Sequence, residues 1–344
     1  MNWKLLEELC NTPGVPGHED KIAGIFIREA KPIAEEITTD PVGNVIAHIP
    51  GDGPRVALDA HTDEVGFIVT HIDSAGFIRV IPLGGIDPRV FYAQRVVVHG
   101  TRPFTGVVGA IPPHLTRGKE DERKKVIPIE DTFIDIGIPA EKVKNEVKVG
   151  DIVTFDSKFA DLGDTLLGKA FDDRVGLFAI IEAVKAAKKI ACDLYLVAAV
   201  QEERGLRGAG CAAFEVQPEI AIAVEGTFAS DLPDVPSRKR QAILDAGPEL
   251  RITDGRMIAD RALVQFISGI AEKRGIPHHH TVKSAGTTNA TAIQTTRKGT
   301  RVAAISVPIR YIHSPNCIIS KRDVENQVAL VSAFLENADR IPPR

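Results

Sequence analysis

Cysteine is scarce in this chain of 344 residues, and the four present (Cys10, Cys192, Cys211, Cys317) are scattered with no C-x-x-C pair. That spacing excludes a zinc ribbon, a redox motif and a disulfide framework. The cysteines read instead as small core residues of a cytoplasmic protein. There is no surplus of basic charge either. Lys and Arg number 42 against 46 Asp and Glu, a net charge of −4, so nothing points to nucleic acid or an anionic membrane. No apolar run reaches the roughly 20 residues a membrane span needs. The opening Met1-Asn2-Trp3-Lys4 begins a short amphipathic helix rather than a signal peptide. Internal repeats and low-complexity segments are missing too. What is present is 44% apolar content, enough for a sizeable core, over a length that suits two domains.

Two textures alternate along the chain. Residues 1–65 read as helix, helix, then strands. Leu5, Leu6 and Leu9 mark one helical face, Glu19 to Lys31 form a second helix stopped by Pro32, and Val45–Ile49 and Val56–Ala60 are strands. Over residues 66–162 helical periodicity vanishes. Short alternating runs replace it, among them Phe77–Ile81, Arg95–Val98 and Asp151–Phe155, cut by Gly and Pro turns. That predicts a small inserted β-barrel or sandwich, whose charged stretch Arg117 to Lys125 reads as a solvated loop. Residues 163–344 return to alternation: helix Arg174–Lys188, strands Leu194–Val200 and Ile220–Val224, helix Asp260–Arg274, strand Val302–Val307 and helix Arg322–Ala338. The expected fold is a doubly wound α/β domain with a mixed sheet, residues 1–65 and 163–344, interrupted by the β domain. The triplet His278-His279-His280 could bind metal, but strand alternation would split its rings between two faces, so a structural role is expected.

Five sites share one context, a ligand-type residue just past an apolar strand or tight turn. His61 and Asp63 follow Val56–Ala60, and Asp172 and Asp173 precede a helix. Glu202 and Glu203 follow Leu194–Val200 across Gln201, Glu225 follows Ile220–Val224, and His313 follows Val302–Val307 and the run Pro308–Ile312. In open α/β sheets ligands bind outside the carboxyl ends of the strands, so these positions would converge. Each alone has a plain structural reading: Asp172-Asp173 as a helix cap, Glu202-Glu203 as a solvated turn, His313 as a core histidine. Taken jointly those readings fail, and adjacent acids at a buried strand end call for a positive neighbour. Two His and several carboxylates without Cys suit zinc, cobalt or manganese. The donors exceed what one zinc takes, about three protein ligands and a water. Two ions roughly 3.5–4 Å apart, sharing a carboxylate, would use the surplus and leave one acid as general base.

With these residues in view, the chain resembles the M42 family of metallo-aminopeptidases, which includes the tetrahedral TET aminopeptidases. The similarity runs nearly end to end. It begins with Thr12-Pro13-Gly14-Val15-Pro16-Gly17-His18-Glu19-Asp20 and continues through Ala60-His61-Thr62-Asp63-Glu64-Val65-Gly66-Phe67 and Gly84-Gly85-Ile86-Asp87-Pro88-Arg89. It then passes through Lys169-Ala170-Phe171-Asp172-Asp173-Arg174, Gln201-Glu202-Glu203 and Arg310-Tyr311-Ile312-His313-Ser314-Pro315. The resemblance implies a dinuclear site: His61 and Glu225 on one divalent ion, Glu203 and His313 on the other, Asp172 bridging, zinc first and cobalt or manganese as alternatives. It further implies Glu202 as general base, Asp63 orienting His61, a cis bond between Asp172 and Asp173, and residues 66–162 as a dimerisation domain. Dimers in this family commonly build hollow dodecamers. Two departures stand out. Glu225 replaces the Asp of some members, and the family's G-T-D-A pattern appears as Thr287-Thr288-Asn289-Ala290, a segment expected to border the substrate.

The implied function is an aminopeptidase acting on short peptides, with a metal-bridged water as nucleophile. A deacylase of N-acyl amino acids is the alternative. An endoglucanase fits poorly, because glycosidases normally use two free carboxylates. A non-catalytic metal scaffold would need no spare acid beside Glu203.

Overall fold

Aliphatic and β-branched runs bounded by turn residues make the strands, and eight of these join one sheet. The computed structural model describes residues 1–115 and 125–343. The charged stretch from Arg117 therefore lies outside the described residues, save Lys125. The chain opens with helices Trp3–Asn11 and Asp20–Ala30, whose buried faces carry Leu5, Leu6, Leu9, Ile22, Ile25 and Phe26. Strands β1 (Glu36–Thr39), β2 (Val45–Ile49) and β3 (Arg55–His61) follow.

The next strands are β4 (Gly66–Ile72), β5 (Ile78–Leu83), β6 (Arg95–His99), β7 (Pro103–Gly109), β8 (Phe133–Asp135) and β9 (Ile152–Phe155), which close into a barrel in the order β4-β5-β8-β7-β6-β9. In its interior Phe67 stacks on Phe91, and Phe155 meets both rings edge-on. Among the described residues of this stretch one α-helix occurs, Ala140–Glu146, with only Val143 buried. Its single buried position leaves no periodic stripe, in keeping with the loss of helical periodicity over residues 66–162.

After β10 (Ala160–Asp161) and β11 (Thr165–Gly168) the chain enters helix Phe171–Ala186. The remaining sheet strands are β12 (Asp193–Ala199), β13 (Ile220–Phe228), β14 (Glu249–Thr253), β15 (His279–Val282) and β16 (Arg301–Ile309). β17 (Cys317–Ser320) pairs with β11 in a separate three-stranded sheet. The main sheet runs β1-β2-β12-β3-β13-β16-β14-β15. Its four central strands are parallel, and β2 and β14 run against them, so the sheet is mixed. One face carries helices Trp3–Asn11, Asp20–Ala30, Phe171–Ala186, Arg261–Arg274 and Lys321–Leu335 over the larger core. The other carries helices Arg207–Val216 and Ala290–Gln294 over a smaller core rich in alanine. Helices on both faces of a largely parallel sheet make this a doubly wound α/β fold. Register sets Ala199 opposite His61 and Ala223 opposite Asp59, so the ends of β12 and β3 come level and Glu225, two residues past Ala223, is carried to the same height. No helix among the described residues is long and apolar enough to cross a membrane.

Candidate metal centre

Asp172 is the meeting point of the edge formed by these strand ends. Its Oδ1 lies 3.1 Å from His61 Nε2 and its Oδ2 lies 3.2 Å from His313 Nε2. His313 Nε2 also lies 3.0 Å from Glu203 Oε1. His61, Asp172 and Glu203 each offer a donor atom within 4.8 Å of the others, the one such group of three among the described residues. Both rings are locked from behind. His61 Nδ1 is 3.0 Å from the Asp63 carbonyl oxygen, and His313 Nδ1 is 2.8 Å from that of Gly85. A carbonyl can only accept, so each Nδ1 carries its proton and, in the neutral ring, each Nε2 offers a lone pair to the centre.

Each element delivers its donor for a local reason. His61 is the last residue of β3 and Glu225 the sixth of β13, both buried. Glu225 Oε1 accepts from the Asn289 N–H at 3.2 Å. Asp172 stands at the start of helix Phe171–Ala186, and the Asp172–Asp173 bond is cis, as the resemblance implies. His313 sits at φ +57° in the turn after β16.

Asp63 meets His61 and further partners as well. His61 Nδ1 meets its carbonyl, with the carboxylate further off at 3.4 Å. The carboxylate itself accepts the N–H groups of Glu202 at Oδ1 and Glu203 at Oδ2, both at 3.0 Å. Asp173, which the sequence marked only as the partner of Asp172, plays a comparable part. Fully buried, it accepts from Gly176 and Gly226 through Oδ1 (3.0 and 3.1 Å) and from the His61 N–H through Oδ2 (3.2 Å). One carboxylate thus joins the ends of β3, β13 and the helix.

The electrostatics follow from crowding acids out of water. Burial pushes Glu202 and Asp173 well above the ordinary carboxylate range and Glu225 up to about 8. Neighbouring acids add to this for Glu202. Burial would also raise Asp172, but the hydrogen bonds to His313 and His61 outweigh it and hold that carboxyl low. His313, against the pull of burial, is driven up to about 11 by Glu203 and Asp172, and His61 well above its ordinary value by Asp172 and Asp63. The cluster gathers protons between imidazole and carboxylate, the places where a dication would sit instead. The donor set of nitrogen and oxygen without sulfur fits such an ion.

The other sequence-level candidates divide. His278 and His280 share one face, ring centroids 5.7 Å apart, but His278 spends both ring nitrogens on Ser268 and the Ile276 carbonyl. Asn289 is fully buried, its amide donating to Asp59 at 2.7 Å and its backbone N–H to Glu225. It therefore backs Glu225 from a short helix, Ala290–Gln294, that packs against β13. The sequence offered little sign of Glu64, Lys169 and Arg174. Lys169 Nζ reaches both Glu64 oxygens at 2.7 and 2.5 Å, and Arg174 bonds the Leu9, Thr12 and Gly14 carbonyls, all out of water. The only signal was charge placed where the neighbours are apolar.

A doubly wound sheet whose carboxyl edge gathers two imidazoles and several carboxylates about one half-buried aspartate defines a metal-dependent hydrolase. The comparisons narrow the class. A family model described as M42 glutamyl aminopeptidase matches residues 43–330. The chain is 36% identical to the lysyl aminopeptidase of Pyrococcus furiosus, over 98% of this chain and 97% of that one. Its structure matches the TET aminopeptidase of the marine-sediment archaeon Thaumarchaeota archaeon SCGC AB-539-E09 with a TM-score of 0.94 at 34% identity, covering 98% and 96% of the two chains. It matches the TET1 peptidase of Pyrococcus horikoshii at 0.86 and 34%, covering 97% and 98%. The chain belongs to the M42 family and is an aminopeptidase, a hydrolase of peptide bonds. M42 enzymes are metallopeptidases, so divalent ions belong with this site.

Proposed function

We propose that the protein is a dinuclear aminopeptidase that removes the N-terminal residue of short peptides, with Glu202 as general base. The observation that carries this reading is Asp172, whose two oxygens face two imidazoles from opposite sides. In this reading His61 and Glu225 hold one ion, Glu203 and His313 the other, and Asp172 lies between them. Zinc is the first choice, before cobalt or manganese. When bound, such ions lower the pKa of the attacking water and polarise the scissile carbonyl.

Glu202 is the acid left over. Asp172 and Glu203 are engaged by imidazoles, and Asp63, Asp173 and Glu225 by backbone N–H groups. Among the described residues nothing engages the Glu202 side chain, and burial makes its anion basic. It is therefore free to take a proton from the attacking water and pass it to the leaving amine. Glu202→Gln should lower kcat by about a hundredfold or more while leaving metal content unchanged; a fully active variant sinks the assignment. A peptide with a free amine should be cleaved and its N-acetylated counterpart spared. Cleavage of the acetylated one alone would favour the deacylase.

The P. horikoshii TET1 peptidase can assemble into a tetrahedron or a large octahedral shell. On that likeness we extend the proposal to a homodimer formed through residues 66–162 and assembled further into a dodecamer. Exposed Val107, Ile111 and Leu115 on that segment supply apolar surface for such a contact.

A further inference from the structure

The turn that presents Glu202 and Glu203 is held in an unusual way. Four consecutive backbone N–H groups, from Val200 to Glu203, all donate to side-chain oxygens from elsewhere in the chain. Val200 N–H donates to Asn44 Oδ1 at 2.9 Å and Gln201 N–H to Glu19 Oε1 at 3.1 Å. Glu202 and Glu203 N–H donate to the two oxygens of Asp63. Asn44, Glu19 and Asp63 are all buried, at 0%, 5% and 0% exposure. Their own anchorage comes from three separate segments. Asn44 Nδ2 donates to Asp40 Oδ2 at 2.6 Å and to the Gly208 carbonyl at 2.9 Å, on the far side of the same turn. Glu19 ends the loop Thr12–Glu19, which exchanges backbone and side-chain hydrogen bonds with Glu64 through Gly14. Val15 of that loop packs with Leu83 and Ile152 of the barrel.

We propose that Glu19 and Asn44 are positioning residues for the Glu202–Glu203 pair, acting through the backbone of this turn. The turn needs outside acceptors because it leaves the sheet ladder. Gln201 takes a left-handed φ of +56°, a conformation a non-glycine residue keeps only where its surroundings impose it. An N–H that lost its acceptor would be buried and unsatisfied, and the turn would shift to find water. A shift of about 1 Å in a reacting group costs on the order of a hundredfold in rate. This assigns a task to the Thr12–Asp20 motif that the site itself does not use. The inference rests on the general-base reading of Glu202, and its test separates the two.

The test compares Glu19→Ala with Glu19→Gln, which retains a carbonyl acceptor for the Gln201 N–H. Hydrogen–deuterium exchange and steady-state kinetics on a free-amine peptide are both measured. Glu19→Ala should speed exchange across Val200–Glu203 by at least about tenfold while β12 stays protected. It should lower kcat by about a hundredfold with KM moved less than about threefold. Glu19→Gln should restore both readouts to within about threefold of the parent. Unchanged exchange in Glu19→Ala, or a Gln variant as impaired as the Ala variant, overturns the proposal. Should Glu19→Ala fail to fold, Asn44→Ser carries the same expectation at Val200. If exchange responds as expected but Glu202→Gln keeps full activity, the general-base reading fails and the positioning of the turn stands.

Discussion

Glu202 and Glu203 share a turn, a degree of burial and a charge type, yet their neighbours give them different work. Glu203 points at His313, while the Glu202 side chain has no protein partner among the described residues and stays basic. At this scale packing tolerances are narrow. Gly176 lies where an added Cβ would overlap the Val224 carbonyl oxygen and the Asp173 carboxylate. Gly176→Ala should therefore push Asp173 off the N–H groups of His61 and Gly226 and destabilise the fold by about 1–3 kcal/mol. A urea denaturation midpoint equal to the parent's contradicts this. The ligand-type residues themselves were legible, because an acid or histidine at the end of an apolar run is conspicuous. The task of Asp173 was not, because a carboxylate that receives only backbone N–H groups looks in sequence like any helix cap. The burial of Asn289 was hidden in the same way, because a polar side chain in a Thr-rich turn carries no mark of it.

At the scale of elements, the segments carrying the site are fastened by a buried ion network. Glu64, two residues before β4, takes Lys169 on both oxygens and lies 3.7 Å from Arg174, so the residues flanking Asp172 and Asp173 are tied to the end of β3. Arg174 also bonds the Leu9 and Thr12 carbonyls at the end of helix Trp3–Asn11. Removing one partner from a buried pair costs more than the pair contributes, because a charge is left unmatched. Lys169→Met should lower stability by about 3–5 kcal/mol, read as a shift of the denaturant midpoint. The double variant with Glu64→Gln should recover part of that loss. A single variant as stable as the parent would show the network to be idle. Strands β2, β3, β12 and β16 were readable from their apolar runs to within a residue or two, whereas β1, β14 and β15 at the sheet margins were not marked. Strand β13 was read four residues short and runs on through Glu225 to Phe228, because its register with β16 continues past the apolar run that marked it. Helix Arg207–Val216 escaped because its buried face is alanine and glycine, which leaves little apolar contrast.

For the whole molecule, the order of the sheet is what turns scattered residues into one site. Parallel β12, β3, β13 and β16 all end on the same edge, and the start of helix Phe171–Ala186 is drawn to it by Asp173. Sequence separations of more than two hundred residues collapse there to about one hydrogen-bond length, as between His313 and the Gly85 carbonyl. No local pattern records that closure; it follows from β-α-β handedness and strand order. The central claim is that this edge holds two ions with Asp172 between them. Anomalous diffraction from crystals of the zinc-loaded protein tests it most directly. The account predicts two zinc peaks flanking the Asp172 carboxylate, one against His61 and Glu225 and the other against Glu203 and His313. A single peak, or zinc bound away from Asp172, would contradict it.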